Sequence, residues 1–307
     1  MISILMAAYN GEAYIAEQID SIFAGNFSDF TLHINDDGST DGTVAIIEKY
    51  AEKFPGKVIL TQSPQNSGGA TQNFLEMMAT HQDDYIMLCD QDDIWLPDKI
   101  EKTLAKMKEM EAKYPSTPLL VHTDLAVVDH NLNVLHHSYK YSTARNFDRR
   151  LENQVLTLNN VSGCTIMYNR ALAALLTRKP EYCMVHDWWL QIVAAYLGKI
   201  GYIRDSTILY RQHGGNEIGA KNVRSIGYKL RQLRNIGFIK ARINSTYPQA
   251  ESFLSLFREK LQPPQIELLE KFTAMPKMGK LRKLYTIFKY RLFMDGFSRN
   301  IAFLLFS

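Results

Sequence analysis

Cysteine is scarce in this chain: three residues in 307, Cys89, Cys164 and Cys183, with no paired spacing. That argues against a disulfide framework or a zinc site and for a reducing compartment. No apolar run approaches the ~18 residues needed to span a bilayer, so no spanning helix is expected. Met1-Ile2-Ser3 runs straight into a strand pattern, without a basic leader or a small-residue cleavage site, and no signal peptide is expected. Internal repeats and low-complexity tracts are also missing. So is a glycine-rich basic phosphate loop after the first strand. That turn is Ala8-Tyr9-Asn10-Gly11-Glu12, with no Lys or Arg, which counts against a nucleotidyltransferase. Gly68-Gly69 lacks the spacing of a dinucleotide fingerprint, which counts against NAD.

What is present suits a soluble globular protein: 46% apolar and 22% charged residues. The net charge of +3 hides an asymmetry. Residues 221–307 hold 17 Lys and Arg against 5 Asp and Glu, leaving 18 against 27 in residues 1–220. The two parts face different partners, with a boundary near Ala220.

Strand patterns at Ile2–Ala7, at the alternating Phe30, Leu32 and Ile34, at Val58–Leu60 and at Tyr85–Cys89 are interleaved with helical patterns. One such pattern carries Ile15, Ile19 and Ile22; another, after Pro97 in its first turn, carries Ile100, Leu104 and Met107. This order predicts an α/β fold with a mostly parallel, doubly wound sheet. Further strands are expected at Leu119–Asp124 and Val161–Met167, with a polar, aromatic loop between them that suits a lid or an acceptor surface.

The run Leu88-Cys89-Asp90-Gln91-Asp92-Asp93-Ile94-Trp95 places three carboxylates at the carboxyl end of the fourth strand. Ligands of open α/β sheets bind there. Close carboxylates repel unless a cation neutralises them, and oxygen ligands of this kind suit Mg²⁺ or Mn²⁺ beside phosphate oxygens. A favourable helix dipole could account for Asp93 or Asp98, but not for Asp90, which ends a strand.

Four motifs stand in a fixed order: Ala8-Tyr9-Asn10-Gly11, Asp36-Asp37-Gly38-Ser39-Thr40-Asp41, Asp90-Gln91-Asp92-Asp93 and His186-Asp187-Trp188-Trp189. Over residues 1–215 the set resembles the inverting family 2 glycosyltransferases of the GT-A fold, a Rossmann-like architecture. With Tyr210-Arg211-Gln212-His213 downstream it looks most like bacterial rhamnosyltransferases of O-antigen, capsule or rhamnan synthesis. The resemblance implies that Ala8, Tyr9, Asn10 and Glu12 contact the nucleoside. Asp37, rather than Asp36, would accept the base N3–H, and the segment from Asn66 through Gly69 to Asn73 would line base and ribose. Asp90 would hold the ribose or a metal-bound water, and Gln91 would join the nucleotide-sugar contacts. Asp92 and His213 would hold Mn²⁺ or Mg²⁺ on the diphosphate. Asp187 would be the catalytic base, in a place where the family often has Glu-Asp rather than His-Asp. Trp188 and Arg211 are candidates for acceptor or loop contacts.

The plain alternatives stand beside these. Asp36 and Asp37 could only form an Asx-turn. Asp187 could be a helix N-cap. Trp188 and Trp189 are adjacent, so they cannot share one helix face, and one is expected in the core with the other free to stack on a sugar. Cys89 reads as a buried filler.

The basic region 221–307 carries helical stripes at Ile226, Leu230 and Leu233 and at Phe253–Phe257. Leu281–Ser307 mixes Lys and Arg with Leu, Ile, Phe and Tyr, the composition of an interfacial anchor on anionic lipid, a basic helical bundle being the alternative. No nucleic-acid motif accompanies the charge. The sequence therefore predicts a 1–220 catalytic domain and a 221–307 basic helical region of a cytoplasmic enzyme, peripheral on the inner face of the cytoplasmic membrane. It would move a sugar, best L-rhamnose from dTDP-L-rhamnose, to a lipid-linked glycan acceptor. A UDP-hexose or UDP-N-acetylhexosamine donor, or a non-catalytic nucleotide-sugar binding module, are the other readings, and homo-oligomerisation is left open.

Overall fold

The computed structural model describes residues 1–63, 66–143, 145–214 and 236–307. They divide into two compact units. The first draws on Met1–Tyr139, Ser162–Lys179 and the described residues from Ile200 onward; the second on Lys140–Val161, Pro180–Lys199 and the described C-terminal residues.

The first unit is built on four strands, β1 (Ile2–Ala8), β2 (Phe30–Asp36), β3 (Val58–Gln62) and β4 (Tyr85–Asp90), all parallel, in the order β3-β2-β1-β4. β1 is buried on both faces, which is why its sequence is apolar throughout rather than alternating. Helices Ile15–Phe23, Thr43–Lys53 and Ala70–Thr80 make the crossovers that parallel strands require. Ile15, Ile19 and Ile22 recur at helical spacing and are buried in the core beneath the sheet.

Beyond β4 the sheet changes sense. Helix Lys99–Lys113 crosses over to β6 (Leu119–Val128), and β8 (Ile166–Asn169) lies between β4 and β6, antiparallel to each. β9 (Lys199–Arg211) and the two-residue β5 (Ile94–Trp95) complete the order, and β7 (Val134–His136) pairs with β6. The parallel arrangement expected from the sequence thus holds for the first four strands. Two details differ. Ser162–Thr165 forms a 3₁₀ turn and its cap rather than strand, and Pro97 lies ahead of the helix, whose N-cap residue is Asp98.

In the second unit, helix His186–Leu197 packs its aromatic side chains among C-terminal helices. The Trp189 ring lies 6.0 Å from that of Phe253 and 6.3 Å from that of Phe257, and Tyr196 lies 5.0 Å from Phe253. Trp189 and Tyr196 bury their rings against helix Thr246–Phe257, and residues 180–199 group with it. The stripe Ile226, Leu230 and Leu233, like the exact boundary, falls outside the described residues.

Candidate functional site

Strand register brings the motifs of the first unit to one edge. Ala8 pairs with Asp36 and Ala7 with Asp90, so β1, β2 and β4 end level with one another. The loops that follow them interlock. Gln91 donates from Nε2 to the Tyr9 carbonyl (2.9 Å) and accepts the Tyr9 N–H at Oε1 (3.0 Å). Asn10 has φ +46°, a left-handed conformation that asparagine tolerates, and its Oδ1 accepts the Thr40 N–H at 2.8 Å. Glu12 accepts the Gly42 N–H at 2.6 Å. Gln91, Asn10 and Glu12 thus shape the loops, with Asn10 and Glu12 exposed and Tyr9 about half exposed beside them.

The two aspartates after β2 divide the work. Asp36 accepts the N–H groups of Gly38 (3.1 Å) and Ser39 (3.0 Å) and the Ser39 hydroxyl, so it forms the Asx-turn. Asp37 reaches across to Ser67, taking its N–H (2.6 Å) and its hydroxyl (2.9 Å). Each carboxylate oxygen retains a second lone pair. Gly69, at φ +115°, occupies backbone that a side chain would strain as the chain enters helix Ala70–Thr80. Asn73 is a correction to the sequence reading. It is buried, and its amide exchanges hydrogen bonds with Asn35, its Oδ1 accepting from the Asn35 side chain (2.8 Å) and its Nδ2 donating to the Asn35 carbonyl (3.0 Å). It supports the loop from beneath.

The acidic run is split by depth. His213 Nε2 stands 2.8 Å from Asp92 Oδ2, and both side chains are partly open to solvent. Tyr14 lies against this pair with its ring 4.5 Å from that of His213. Arg211 is buried and is not a loop contact. Its guanidinium lies 4.8 Å from the Tyr14 ring, donates to the Asp92 carbonyl (3.1 Å) and pairs with Glu17 (2.5 Å). Arg211 therefore pins the backbone of Asp92, and its own N–H donates to Asp93 (3.2 Å).

Asp93 is fully buried. Burial, and then the charges of Asp92 and Asp90, push its carboxyl well above the usual carboxylate range. Asp90, Asp93 and Cys164 bring one potential ligand atom each within 4.8 Å of one another. Beneath them lies Lys99, fully buried, its ammonium 4.6 Å from the Trp95 ring and its pKa lowered to about 8 by burial. Cys89 is buried as expected and accepts a hydrogen bond from Gln18 (3.0 Å). Tyr14, Glu17, Lys99 and Cys164 carried no motif in the sequence. Only the isoleucine stripe Ile15–Ile22, which fixes the helix beside Tyr14, hinted that Glu17 faces away from the core.

In the second unit Asp187 is the second residue of helix His186–Leu197, with Val185 as the N-cap residue, so Asp187 is not itself the cap. Its Oδ1 accepts from Asn159 Nδ2 at 2.9 Å. A carboxylate in a first helical turn is favoured by the helix dipole. His186 beside it is buried, which lowers its pKa to about 3 and keeps the ring neutral. Both tryptophans are core residues. Trp188 is 2% exposed, with its indole N–H bonded to the Val155 carbonyl at 2.6 Å, so it offers no face to an acceptor sugar.

Comparison with known proteins places this arrangement. The chain is 29% identical over 250 residues, 76% of its length and 79% of the relative's, to the dTDP-rhamnosyl transferase RfbG of Shigella flexneri. It is 34% identical over 128 residues, 41% of its length and 45% of the relative's, to the putative glycosyltransferase EpsE of Bacillus subtilis. Among solved structures it resembles S. aureus TarS in complex with UDP-GlcNAc, with a TM-score of 0.55, 17% identity, and coverage of 99% of this chain and 89% of the other. That likeness carries the fold, which is of the GT-A type. Residues 3–176 match the family model for Glycosyl transferase family 2, and the chain belongs to that family of glycosyltransferases.

Proposed function

We propose that this glycosyltransferase moves L-rhamnose from dTDP-L-rhamnose to a lipid-linked saccharide, with inversion and with a divalent cation. The observation that carries the reading is the Asp92–His213 pair at the carboxyl ends of the parallel strands. A carboxylate oxygen and an imidazole nitrogen are a donor set that fits Mn²⁺, and Mg²⁺ with more water in its shell. Asp92 and His213 would hold the ion, which when bound supplies Lewis-acid stabilisation of the departing diphosphate. Arg211 keeps the Asp92 backbone in place, and the Asp37–Ser67 clamp shapes the loop where the base would rest.

Asp187 takes the proton from the acceptor hydroxyl as that oxygen bonds to the anomeric carbon and the nucleoside diphosphate leaves. The Asn159 amide orients its carboxylate. The name of the Shigella relative supports rhamnose; a UDP-hexose or UDP-N-acetylhexosamine is the second reading, supported by the UDP-GlcNAc bound in TarS. The acceptor lipid would bring the enzyme to the inner face of the cytoplasmic membrane. No helix among the described residues is long and apolar enough to cross a membrane, so that association would be peripheral.

The test is transfer of rhamnose from dTDP-L-rhamnose to a lipid-linked saccharide, read by NMR of the new glycosidic bond. The product should carry the anomeric configuration opposite to the donor's. Retention of configuration would overturn the single-displacement role of Asp187.

A further inference from the structure

Two helices near the end of the second unit are apolar on both sides. Helix Lys280–Lys289 buries Ile287, and helix Phe297–Phe306 buries Phe303. Their outer faces carry Leu281, Tyr285 and Phe288 on the first and Phe297, Ile301 and Leu305 on the second. These recur at helical spacing, and Leu281 and Phe297 are 84% and 83% exposed. Isolated exposed apolar residues need no explanation, but two ordered stripes do.

A basic cavity adjoins the end of the second stripe, at Leu305. Lys280 donates to the carbonyls of Leu304 and Leu305, and Lys283 to that of Ser307 (2.7 Å), which ties the start of one helix to the end of the other. Beside this junction lies a cavity of about 920 Å³ whose lining includes Lys240, Lys277, Lys280, Lys283 and Leu305. Leu305 belongs to both the cavity wall and the exposed stripe. Among the described lining residues, Glu251 carries the only carboxylate side chain. Burial, and then the ammonium groups of Lys280 and Lys240, hold Lys283 below the usual lysine range. Residues 276–307 contain seven Lys and Arg and a single acid, Asp295. That acid is buried in an ion pair with Arg149 (2.8 Å), so it does not offset the positive surface.

From this juxtaposition we infer that the second unit docks on an anionic lipid bilayer, the two apolar stripes entering the interface while the lysine cavity receives lipid phosphate groups. A surface that pairs apolar insertion with clustered lysines matches a bilayer of anionic lipid, which offers apolar chains and phosphates at the same depth. The inference deepens the reading above, in which the acceptor sits on a membrane lipid.

The test is co-sedimentation of the full chain with phosphatidylglycerol and with phosphatidylcholine vesicles at low and high salt. The unaltered protein should bind phosphatidylglycerol at least about tenfold better, a preference that salt erodes. Leu281→Ser/Tyr285→Ser/Phe297→Ser should lose about tenfold or more of binding. Lys240→Gln/Lys277→Gln, which leaves the two capping lysines alone, should lose the phosphatidylglycerol preference. Both variants should retain donor hydrolysis, which reports the transferase reading separately from the membrane reading. Vesicle binding unchanged in both variants would overturn the inference. So would a serine variant that dissociates a dimer without altering vesicle binding, since the stripes would then cover a second copy of the chain.

Discussion

His213 Nε2 lies 2.8 Å from Asp92 Oδ2, across 121 residues of sequence. Arg211, two residues earlier, sets this meeting: it closes β9 and holds the Asp92 carbonyl. If the pair holds the divalent ion, His213→Ala should raise the Mn²⁺ concentration needed for half-maximal donor hydrolysis by about tenfold or more. Asp92→Asn should abolish the Mn²⁺-supported activity. Titration of activity against Mn²⁺ in both variants checks this, and an unshifted His213→Ala curve would remove that residue from the ligand set.

Asp187→Asn keeps the shape of the base and removes its basicity. Donor affinity should be unchanged, while transfer falls by roughly 10²–10⁴. Calorimetric titration of the donor and single-turnover transfer measure the two separately. Transfer at the parent rate would exclude Asp187 as the base.

Gly11 has no side chain because Gln91 fills the space. A Cβ built there would overlap the Gln91 carboxamide. Gly11→Ala should push Gln91 off the Tyr9 backbone and raise the donor KM several-fold. Gln91→Ala should do the same, and the double variant should cost no more than either alone, because both break one linkage. Additive losses would mean that Gln91 and Gly11 act independently.

His186 couples stability to acid. Its folded-state pKa is lowered to about 3, against an unfolded value near 6.5. The unfolded chain therefore binds the proton first, so this contribution is full above about pH 6.5 and is lost as pH falls toward 3. The slope reaches about 1.4 kcal/mol per pH unit at most. Urea midpoints at pH 7.5 and pH 5 should diverge more for the parent than for His186→Gln. An equal drop in both would show that His186 accepts its proton in the native state.

Much of the first unit was legible in sequence because its signals are local. A parallel strand buried on both faces reads as a nearly continuous apolar run, as in β1 and β4, and β2 alternates through Phe30, Leu32 and Ile34, so these strands and the polar motifs that follow them could be read directly. The Asp92–His213 meeting followed from family resemblance. The burial of Asp93 and Lys99 was invisible, because adjacent acids look alike until the backbone turns one inward and leaves another outside. Asn73 read as a ligand contact since asparagine serves loops and ligands with the same amide. Trp188 and Trp189 are both buried because helix His186–Leu197 is enclosed on several faces, by Val155 on one side and Phe253 on another. One-faced helix reasoning cannot foresee that.

The central claim is metal-dependent use of dTDP-L-rhamnose. It is tested most directly by donor binding and hydrolysis across dTDP-L-rhamnose, UDP-glucose, UDP-galactose, UDP-GlcNAc and GDP-mannose, with Mn²⁺ and with chelator. The account predicts selective turnover of dTDP-L-rhamnose that chelator abolishes and Mn²⁺ restores. Selective turnover of a UDP-sugar, or rhamnose turnover indifferent to chelator, would contradict it.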